Sequence, residues 1–492
     1  MAEQIKMARE YLEKNRVEIQ CPYCNQQISN CDVEYLFNLN QYRVEFTYAP
    51  LNRLIKLSSD EKLKGHWQAR GVTDIQSTFD INPMRCICTL NDLERLSDEL
   101  EEEGARLEEF VVDFNDSTKA MEIMIQEDNV RMIQTDEFVC PRCHNLLPPS
   151  IFRSKVVRVG LCGSQNSGKT VWICSLEKSV EDFIDNGNDN IDIFFSFPSN
   201  SSDGITARYR EYIRKLKGHP GIAPEGTRLS MAPVFFDFQY RENNYLLIIY
   251  DVSGEIQEAA GRRDLALQHF SQMDGYILML DPELLKNANQ LLKKPVEDHV
   301  VDRDEQRRKA KAQCEFLTRE EQKVVQNGEF VSKSIHELLK DLGSRQVQEV
   351  RQPIVERKNP LNILAIIAAN VDVKKRGLQH MALAIDKGDI LNIPEPMANL
   401  KKNTLQIQTI ENKIMMATEY LKDREYGGEA VLEKRANRFY GSVSCHVLAA
   451  LGCSVNKQPN EHYRELEGEF APFGVLEPLI KIIETIQMRE AQ

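Results

Sequence analysis

The chain has 492 residues, of which 42% are hydrophobic, and its 62 basic and 75 acidic residues give a formal net charge of -13. This length is enough for two or more domains, each with its own buried core. The negative charge disfavours general attraction to phosphate backbones or anionic lipid, so nucleic acid is not an expected partner.

The amino-terminal sequence MAEQIKMAREYLEKNR is a charged helical pattern without the apolar core that a secretory signal needs. The most apolar stretch, residues 361–371, is far shorter than the roughly 18 to 20 residues that span a bilayer. We therefore expect a cytoplasmic protein with no membrane span. Since the cytoplasm keeps thiols reduced, the twelve cysteines are expected to bind metal or to be ordinary buried thiols.

Residues 1–150 are predicted to form an α+β domain that contains a zinc ribbon, with inserted strands such as 42–48 and an acidic helix over 93–110. Two C-P-x-C knuckles bracket this domain. Each knuckle closes a tight turn that directs two thiolates at one ion, and two pairs complete a tetrahedral site. The expected ligands of a structural zinc ion are Cys21, Cys24, Cys140 and Cys143.

Other metal-ligating residues leave the ligand set open. Cys86 and Cys88 could complete either knuckle, or they could form a second site with Cys31, His66 or His144. Buried thiols without a metal are the competing interpretation. Because a four-sulfur site has no open position for water, its role would be structural or partner-binding rather than catalytic.

From Lys155 onward, short apolar runs alternate with helical patterns, which predicts a doubly wound, mostly parallel α/β sheet across residues 151–492. Each run has the length of one buried strand, and parallel strands need helical crossovers. A closing helix is predicted over 475–488. The predicted strands are 156–161, 233–240, 245–250, 276–280, 362–368 and 439–443.

Two polar intervals interrupt this alternation. Residues 283–353 are predicted to be a helical insertion, and residues 374–435 are predicted to be a second polar helical stretch. Charge runs usually mark solvated helix faces, so an exposed excursion without a task of its own competes with a partner-binding role.

Residues 163–170 read GSQNSGKT and satisfy the pattern G-x-x-x-x-G-K-[ST] between an apolar strand and an amphipathic helix. Glycines let the backbone wrap around phosphate oxygens, with N–H groups and the helix amino terminus directed at the negative charge. We expect Lys169 to reach the β- and γ-phosphates and Thr170 to bind Mg²⁺. The expected nucleotide-binding residues of this loop are Gly163, Ser164, Gln165, Asn166, Ser167, Gly168, Lys169 and Thr170.

A second element, D-x-x-G, ends the strand predicted over 245–250. Asp251 is placed there to hold the magnesium ion, and the Gly254 N–H to sense the γ-phosphate. Thr227 lies in a Pro/Gly-rich loop before the strand 233–240. It is either the threonine that closes over Mg²⁺ and the γ-phosphate or a simple turn residue.

These elements, in this order, resemble a Ras-like P-loop GTPase, a family that carries a guanine-specificity box [NT]-K-x-D after a late strand. The resemblance places that box at residues 369–372, with Asp372 accepting the guanine N1 and N2 hydrogens and Asn370 where the family has a stacking lysine. It also matches Ser444 and Cys445 to the box that contacts the guanine edge. A strand end made of small residues explains that second segment about as well.

A closer resemblance is to the bacterial double-GTPase (DO-GTPase) group, Ras-like proteins of predicted conflict-system operons that often follow zinc ribbons. The segments that carry it are 140–144, 251–255, 274–282 and 473–479, and it covers most of the chain from Cys140 onward. It implies a GTP/GDP-dependent switch that reaches a protein partner through the zinc ribbon or the helical insertion and serves bacterial defence. The competing interpretations are a nucleotide-binding scaffold that does not hydrolyse and a P-loop ATPase.

Glu255 stands where many Ras-like enzymes have a water-orienting glutamine. A carboxylate beside the γ-phosphate repels it unless a metal or a partner intervenes, so Mg²⁺-dependent GTP hydrolysis is expected to be slow. The residues expected to act in hydrolysis are Lys169, Thr170, Thr227 and Glu255. In single-turnover assays we expect a slow rate that Glu255→Gln does not lower. Fast hydrolysis without a partner that Glu255→Gln lowers would contradict this prediction.

Overall fold

The computed structural model describes residues 2–37, 58–102, 110–115, 120–126, 130–135, 137–164, 167–185, 192–198, 204–224, 232–251, 269, 271–282, 323–326, 329–332, 360–369, 371, 373–391, 393, 399–401, 403–424, 431–456 and 464–491. The helices in these residues are α1 Ala2–Lys14, α2 Glu61–Gln68, α3 Ile75–Phe79, α4 Leu90–Glu102, α5 Lys169–Asp185, α6 Gly204–Leu216, α7 Pro360–Ala369, α8 Val373–Arg376, α9 Ile407–Arg424, α10 Val431–Phe439 and α11 Glu477–Glu490. A short 3-10 helix spans Pro149–Phe152.

The strands of the amino-terminal part are β1 Glu18–Gln20, β2 Gln27–Ser29, β3 Glu34–Phe37, β4 Ser58–Ser59, β5 Met84–Cys88, β6 Phe110–Asn115, β7 Ala120–Gln126, β8 Val130–Thr135, β9 Phe138–Val139 and β10 Leu146–Leu147. The strands that follow are β11 Lys155–Gly163, β12 Ile193–Ser196, β13 Ile222–Ala223, β14 Pro233–Tyr240, β15 Asn243–Asp251, β16 Gly275–Leu280, β17 Lys323–Gln326, β18 Glu329–Ser332, β19 His380–Ile385, β20 Ser442–Val447 and β21 Arg464–Glu465.

The amino-terminal part combines helices with small antiparallel sheets. Its largest sheet has the order β10-β9-β3-β5-β4, β1 pairs with β2 as a hairpin, and β6, β7 and β8 form a separate three-stranded sheet. Trp67 of α2 is fully buried, packs against Phe79 of α3 with 4.3 Å between ring centroids, and donates from Nε1 to Asn145 Oδ1 at 2.9 Å. This packing joins the helices to the segment that contains the second knuckle.

The largest sheet has seven strands in the order β12-β14-β15-β11-β16-β19-β20. The five strands from β15 to β20 in this order are mutually parallel, whereas β12 and β14 are antiparallel to their neighbours. Every residue of β16 and β19 is buried, as expected for parallel strands covered on both faces. The sequence-based prediction of a mostly parallel α/β sheet flanked by helices is thereby confirmed.

The register assigns the two faces of this sheet. Arg158 of β11 pairs with Ile248 of β15, so Arg158 and Tyr250 share one face, while Gly275 pairs with Val159 and lies on the other. A Cβ added at Gly275 would lie 2.9 Å from Ile482 side-chain carbons, so α11 packs closely on that second face. The first knuckle lies on the face of Arg158 and Tyr250.

Four predicted strands and the closing helix are confirmed with small shifts at their ends: β11, β14, β15, β16 and α11. The strand predicted over 362–368 is wrong, because these residues lie in helix α7. Pro360 occupies the first helical position, where its missing N–H costs nothing. The nine mostly apolar residues that follow Pro360 in this helix suit a buried helix as well as a strand.

Other predicted boundaries also change. The strand predicted over 439–443 begins later, since Phe439 ends α10 and β20 covers Ser442–Val447. The stretch 374–435 contains helices, but it also contains strand β19, which the sequence analysis missed. Within 283–353, the residues that the structure describes, 323–326 and 329–332, form the antiparallel pair β17–β18 instead of helix. The acidic helix ends at Glu102, Phe110 begins β6, and residues 42–48 lie outside the described chain.

Among the residues that the structure describes, no helix has the length and apolarity that crossing a bilayer requires.

A buried ion pair joins α9 to α11 and gives a stability prediction. Lys413 Nζ contacts Glu477 Oε1, and the two side chains are 4% and 3% exposed. Removing one partner leaves a buried charge, so Lys413→Met and Glu477→Leu should each lower the free energy of unfolding by about 3–5 kcal/mol in urea titrations. The double variant should recover most of the loss, because both charges are gone. Glu411→Gln, at the more exposed pair with Lys481, should cost under about 1 kcal/mol. Equal losses for all variants would contradict the prediction.

Candidate nucleotide site and cysteine metal centre

The carboxyl ends of the parallel strands meet along one edge of the large sheet. From β11 the chain adds β15 on one side and then β16 on the other, so the direction of winding reverses beside β11. Open α/β sheets bind ligands in the crevice at such a reversal, outside the carboxyl ends of the strands. The loop 163–170, called the glycine loop below, leaves β11 at this point and leads into α5.

Two glycines fix the shape of the glycine loop. Gly163 and Gly168 have φ angles of 152° and 84°, a region that L-residues with a side chain rarely adopt. A Cβ at Gly163 would lie 2.6 Å from Ser167 Oγ, and a Cβ at Gly168 would overlap Asp386 Oδ2. Both positions therefore require glycine. Gln165 and Asn166 lie outside the described residues.

Lys169 directs its ammonium group into the glycine loop. Its buried Nζ donates to the carbonyl oxygens of Ser164 at 2.8 Å and Gly163 at 3.1 Å. Burial lowers the pKa of Lys169, while the nearby Asp251 carboxylate raises it. The loop thus surrounds a cation that faces the start of α5, which gives the edge of the sheet a positive centre suited to phosphate.

Thr170 and Asp251 meet across the gap between the glycine loop and β15. The Thr170 hydroxyl donates to Asp251 Oδ2 at 3.2 Å, and the other carboxylate oxygen, Oδ1, is buried with no hydrogen-bond partner among the described residues. Burial raises the pKa of Asp251, while Lys169 and Thr170 lower it. A buried carboxylate oxygen beside a hydroxyl is an oxygen-ligand set that fits Mg²⁺.

The segment 386–389, which reads DKGD after strand β19, also lies at this edge. Asp386 Oδ1 accepts a hydrogen bond from Ala450 N at 3.1 Å, and its other oxygen faces Gly168. Burial raises the pKa of Asp386 to about 7. Lys387 Nζ binds both carboxylate oxygens of Asp281 at 3.0 and 2.9 Å.

This segment was not predicted from the sequence as a candidate site. The signal was present, because D-K-G-D, which contains K-x-D, directly follows the apolar run HMALAI. Its residues are half-buried or buried beside the glycine loop, at the place where a parallel strand ends.

None of the predicted base-binding residues that the structure describes lies at the edge that carries the glycine loop. Asn370 and Asp372 lie outside the described residues, and the strand expected to carry them is helix α7. Ser444 and Cys445 lie inside β20, before its carboxyl end. The buried Ser444 hydroxyl contacts His380 Nε2 and His446 Nε2, both at 2.7 Å, instead of facing the edge. Thr227, Gly254 and Glu255 lie outside the described residues.

Four cysteines form a cluster in the amino-terminal part. Cys21 Sγ lies 3.8 Å from Cys143 Sγ, and Cys24 Sγ lies 3.8 Å from Cys140 Sγ. All four sulfur atoms lie within 4.8 Å of one another. Tetrahedral Zn–S bonds of about 2.3 Å place sulfurs about 3.8 Å apart, so the cluster could hold a metal ion such as zinc.

The two knuckles have matching backbone geometry. Cys21 N donates to Gln26 O at 2.8 Å and Asn25 N to Cys21 O at 2.9 Å; in the second knuckle Cys140 N and His144 N make the corresponding bonds at 3.0 and 2.8 Å. Asn25 and His144 both have positive φ, at 61° and 52°. Each knuckle therefore turns in the same way between two short strands and presents its thiols to the other.

The remaining candidate ligands take other roles. His144 contacts Glu34 and Asp60, each at 2.8 Å, and His66 Nδ1 lies 3.1 Å from Arg70 Nη1. Cys86 and Cys88 are buried in β5, and Cys31 Sγ faces Asn30 Oδ1. Among the described residues, no second group of this kind accompanies the four-cysteine cluster.

No protein-family model matches the chain, and no curated protein matches it significantly.

The cysteine cluster predicts the metal content of the purified chain. We expect about one metal ion per chain by elemental analysis, and we expect Cys24→Ser and Cys140→Ser to lose it and to unfold at lower temperature. Cys31→Ser is the matched control, because its thiol lies outside the cluster and should leave the metal content unchanged. Metal that survives both ligand substitutions would contradict the assignment.

Asp386 predicts a pH-dependent stability. The folded pKa of about 7 lies above the value near 3.9 of an unfolded aspartate, so the folded state binds the proton more tightly. This contribution to stability is fully present below about pH 4 and is lost as the pH rises through 7. Asp386→Asn cannot ionise, so its free energy of unfolding relative to wild type should rise by about 2–3 kcal/mol between pH 5 and pH 8. A difference that stays constant with pH would contradict the assignment.

Proposed function

We propose that the chain is a GTP-binding switch protein that uses Mg²⁺ and hydrolyses GTP slowly. The observation that carries this proposal is the Thr170–Asp251 hydrogen bond beside Lys169, whose ammonium group lies within a glycine-constrained loop. A cation, a hydroxyl and a carboxylate at the reversal point of a parallel sheet are the groups that a magnesium-bound triphosphate requires.

Each group has a distinct role in this proposal. Loop N–H groups and the amino terminus of α5 cradle phosphate oxygens, and Lys169 neutralises charge on the β- and γ-phosphates. Thr170 and the buried Oδ1 of Asp251 would hold a magnesium ion. When bound, that ion would offset the negative charge between the β- and γ-phosphates.

The base-binding role is proposed for residues 387–389 in place of 370–372. A carboxylate at Asp389 can accept the N1 and N2 hydrogens of guanine, whereas adenine presents an acceptor at N1 and would be repelled. Lys387, anchored by Asp281, supplies an aliphatic stem beside the base. This placement puts base recognition on the same edge as the glycine loop, because Asp386 faces Gly168.

The four-cysteine cluster is proposed to have a structural role. The part of the chain that contains it and the interval 283–353 are proposed to contact a protein partner. Hydrolysis is slow in this proposal because the Glu255 carboxylate repels the γ-phosphate. A scaffold that binds nucleotide without hydrolysing it, and a P-loop ATPase, are the alternatives that nucleotide binding and phosphate release distinguish.

Nucleotide titrations test the proposal. Purified chain is titrated with fluorescent GTP, GDP and ATP, with and without Mg²⁺, and phosphate release is followed. We expect GTP and GDP to bind, ATP to bind far more weakly, Mg²⁺ to strengthen triphosphate binding, and phosphate to appear slowly. Tight ATP binding without GTP binding would overturn the guanine assignment. GTP binding without phosphate release would favour the scaffold.

Paired substitutions distinguish the two candidate base sites. Asp389→Asn should weaken GTP binding about 100-fold, because the amide cannot accept both guanine hydrogens, and should strengthen binding of xanthosine triphosphate, whose O2 accepts from the amide. Asp372→Asn is the matched control and should change neither affinity. The opposite pattern would return base recognition to Asp372.

A further inference from the structure

The first knuckle rests on the strands that supply the nucleotide site. Tyr250 Oη of β15 donates to Pro22 O at 2.9 Å, and Arg158 Nη2 of β11 donates to Gln20 O at 3.2 Å. The next carbonyl along the knuckle, Tyr23 O, accepts from Arg70 Nη2 at 2.9 Å. Side chains from the sheet and from the turn after α2 thus hold the backbone of the knuckle at three carbonyls, those of residues 20, 22 and 23.

Aromatic rings also pack between the first knuckle and the sheet. Tyr23 lies over Phe235 of β14 at 5.9 Å between centroids, and Tyr250 stacks on His269 at 5.3 Å and 25°. His269 also makes a hydrogen bond with the Tyr23 backbone. Tyr23, Tyr250 and His269 are buried, so this is a packed interior contact.

Tyr250 is adjacent to Asp251, which connects the two sites through one peptide unit. Successive side chains of a strand point to opposite faces, so Tyr250 reaches the knuckle while Asp251 reaches Thr170 at the strand's end. Any restraint on the Tyr250 hydroxyl therefore also restrains the backbone that carries the Asp251 carboxylate.

The position of the first knuckle depends on the contact of its thiols, those of Cys21 and Cys24, with the thiols of Cys140 and Cys143. Cys21 and Cys143 are 122 residues apart in the chain, so local sequence does not hold them together. A metal ion bound by all four sulfurs fixes the position of the turn and of Pro22 O.

We propose that the four-cysteine metal site and the magnesium–triphosphate site are thermodynamically coupled through Tyr250, so that each ligand strengthens binding of the other. This inference rests on the proposed function. Coupling is reciprocal: the factor by which metal raises triphosphate affinity equals the factor by which the triphosphate raises metal affinity. The coupling is larger for GTP than for GDP, because Asp251 would help to hold the magnesium ion of a bound triphosphate, and this would restrain the end of β15.

The experiment measures both affinities in the full chain. Zinc affinity is obtained by competition with a chromophoric chelator in the presence of no nucleotide, of GDP, or of a non-hydrolysable GTP analogue with Mg²⁺. Affinity for the analogue is measured in zinc-loaded and zinc-stripped protein. A single buried hydrogen bond predicts a coupling factor of about three to ten in both directions.

Two tyrosine variants isolate the connection. Tyr250→Phe removes the hydroxyl that donates to Pro22 O and should reduce the coupling factor to near one, while both ligands still bind. Tyr245→Phe is the matched control on the same strand, since its hydroxyl accepts from Gln487 Nε2, away from the knuckle. It should keep the wild-type factor.

The outcomes separate the two proposals. If zinc and the GTP analogue bind with a coupling factor near one, the coupling is overturned and the proposed function stands. If no nucleotide binds, both are overturned. If the zinc-stripped protein unfolds, the zinc competition alone still tests the proposal. A nucleotide effect on zinc affinity that persists in Tyr250→Phe would reflect general stabilisation and would overturn the proposal.

Discussion

A single buried carboxylate, Asp386, holds three loops together at the carboxyl edge of the sheet. Its backbone N–H donates to Leu280 O at 3.1 Å, its Oδ1 accepts from Ala450 N, and its Oδ2 faces Gly168. Burying a carboxyl group is costly unless hydrogen bonds compensate, and the pKa raised to about 7 reflects the part that burial leaves uncompensated. Asp386 therefore requires a glycine at position 168, because a side chain there would overlap its carboxylate, whether or not a phosphate is bound.

Regular local patterns made much of the fold predictable. Short apolar runs of strand length identified β11, β14, β15 and β16, and a helical stripe identified α11. The glycine loop and Asp251 could be placed together because parallel strands end at one edge. The two knuckles could be paired because thiol spacing, unlike most side-chain contacts, is dictated by metal geometry.

The errors have a physical origin. A run of apolar residues is compatible with a buried helix or a buried strand, and the 362–368 run was assigned as a strand although Pro360 fits the start of a helix. That choice put the predicted base site at residues 369–372, whereas the proposed base site lies at the end of β19. The contact between Tyr250 and Pro22 could not be predicted, because it depends on how two distant chain segments pack.

The separation of the knuckles has a consequence for how the protein can vary. A metal ion bound to both Cys24 and Cys140 would close a loop whose ends are 116 residues apart. The entropy of closing a loop grows with the logarithm of its length, and doubling the length costs only about 0.6 kcal/mol. Segments between the knuckles can therefore lengthen or shorten over evolution with little penalty, provided that the two turns still meet and that the first continues to rest on β15.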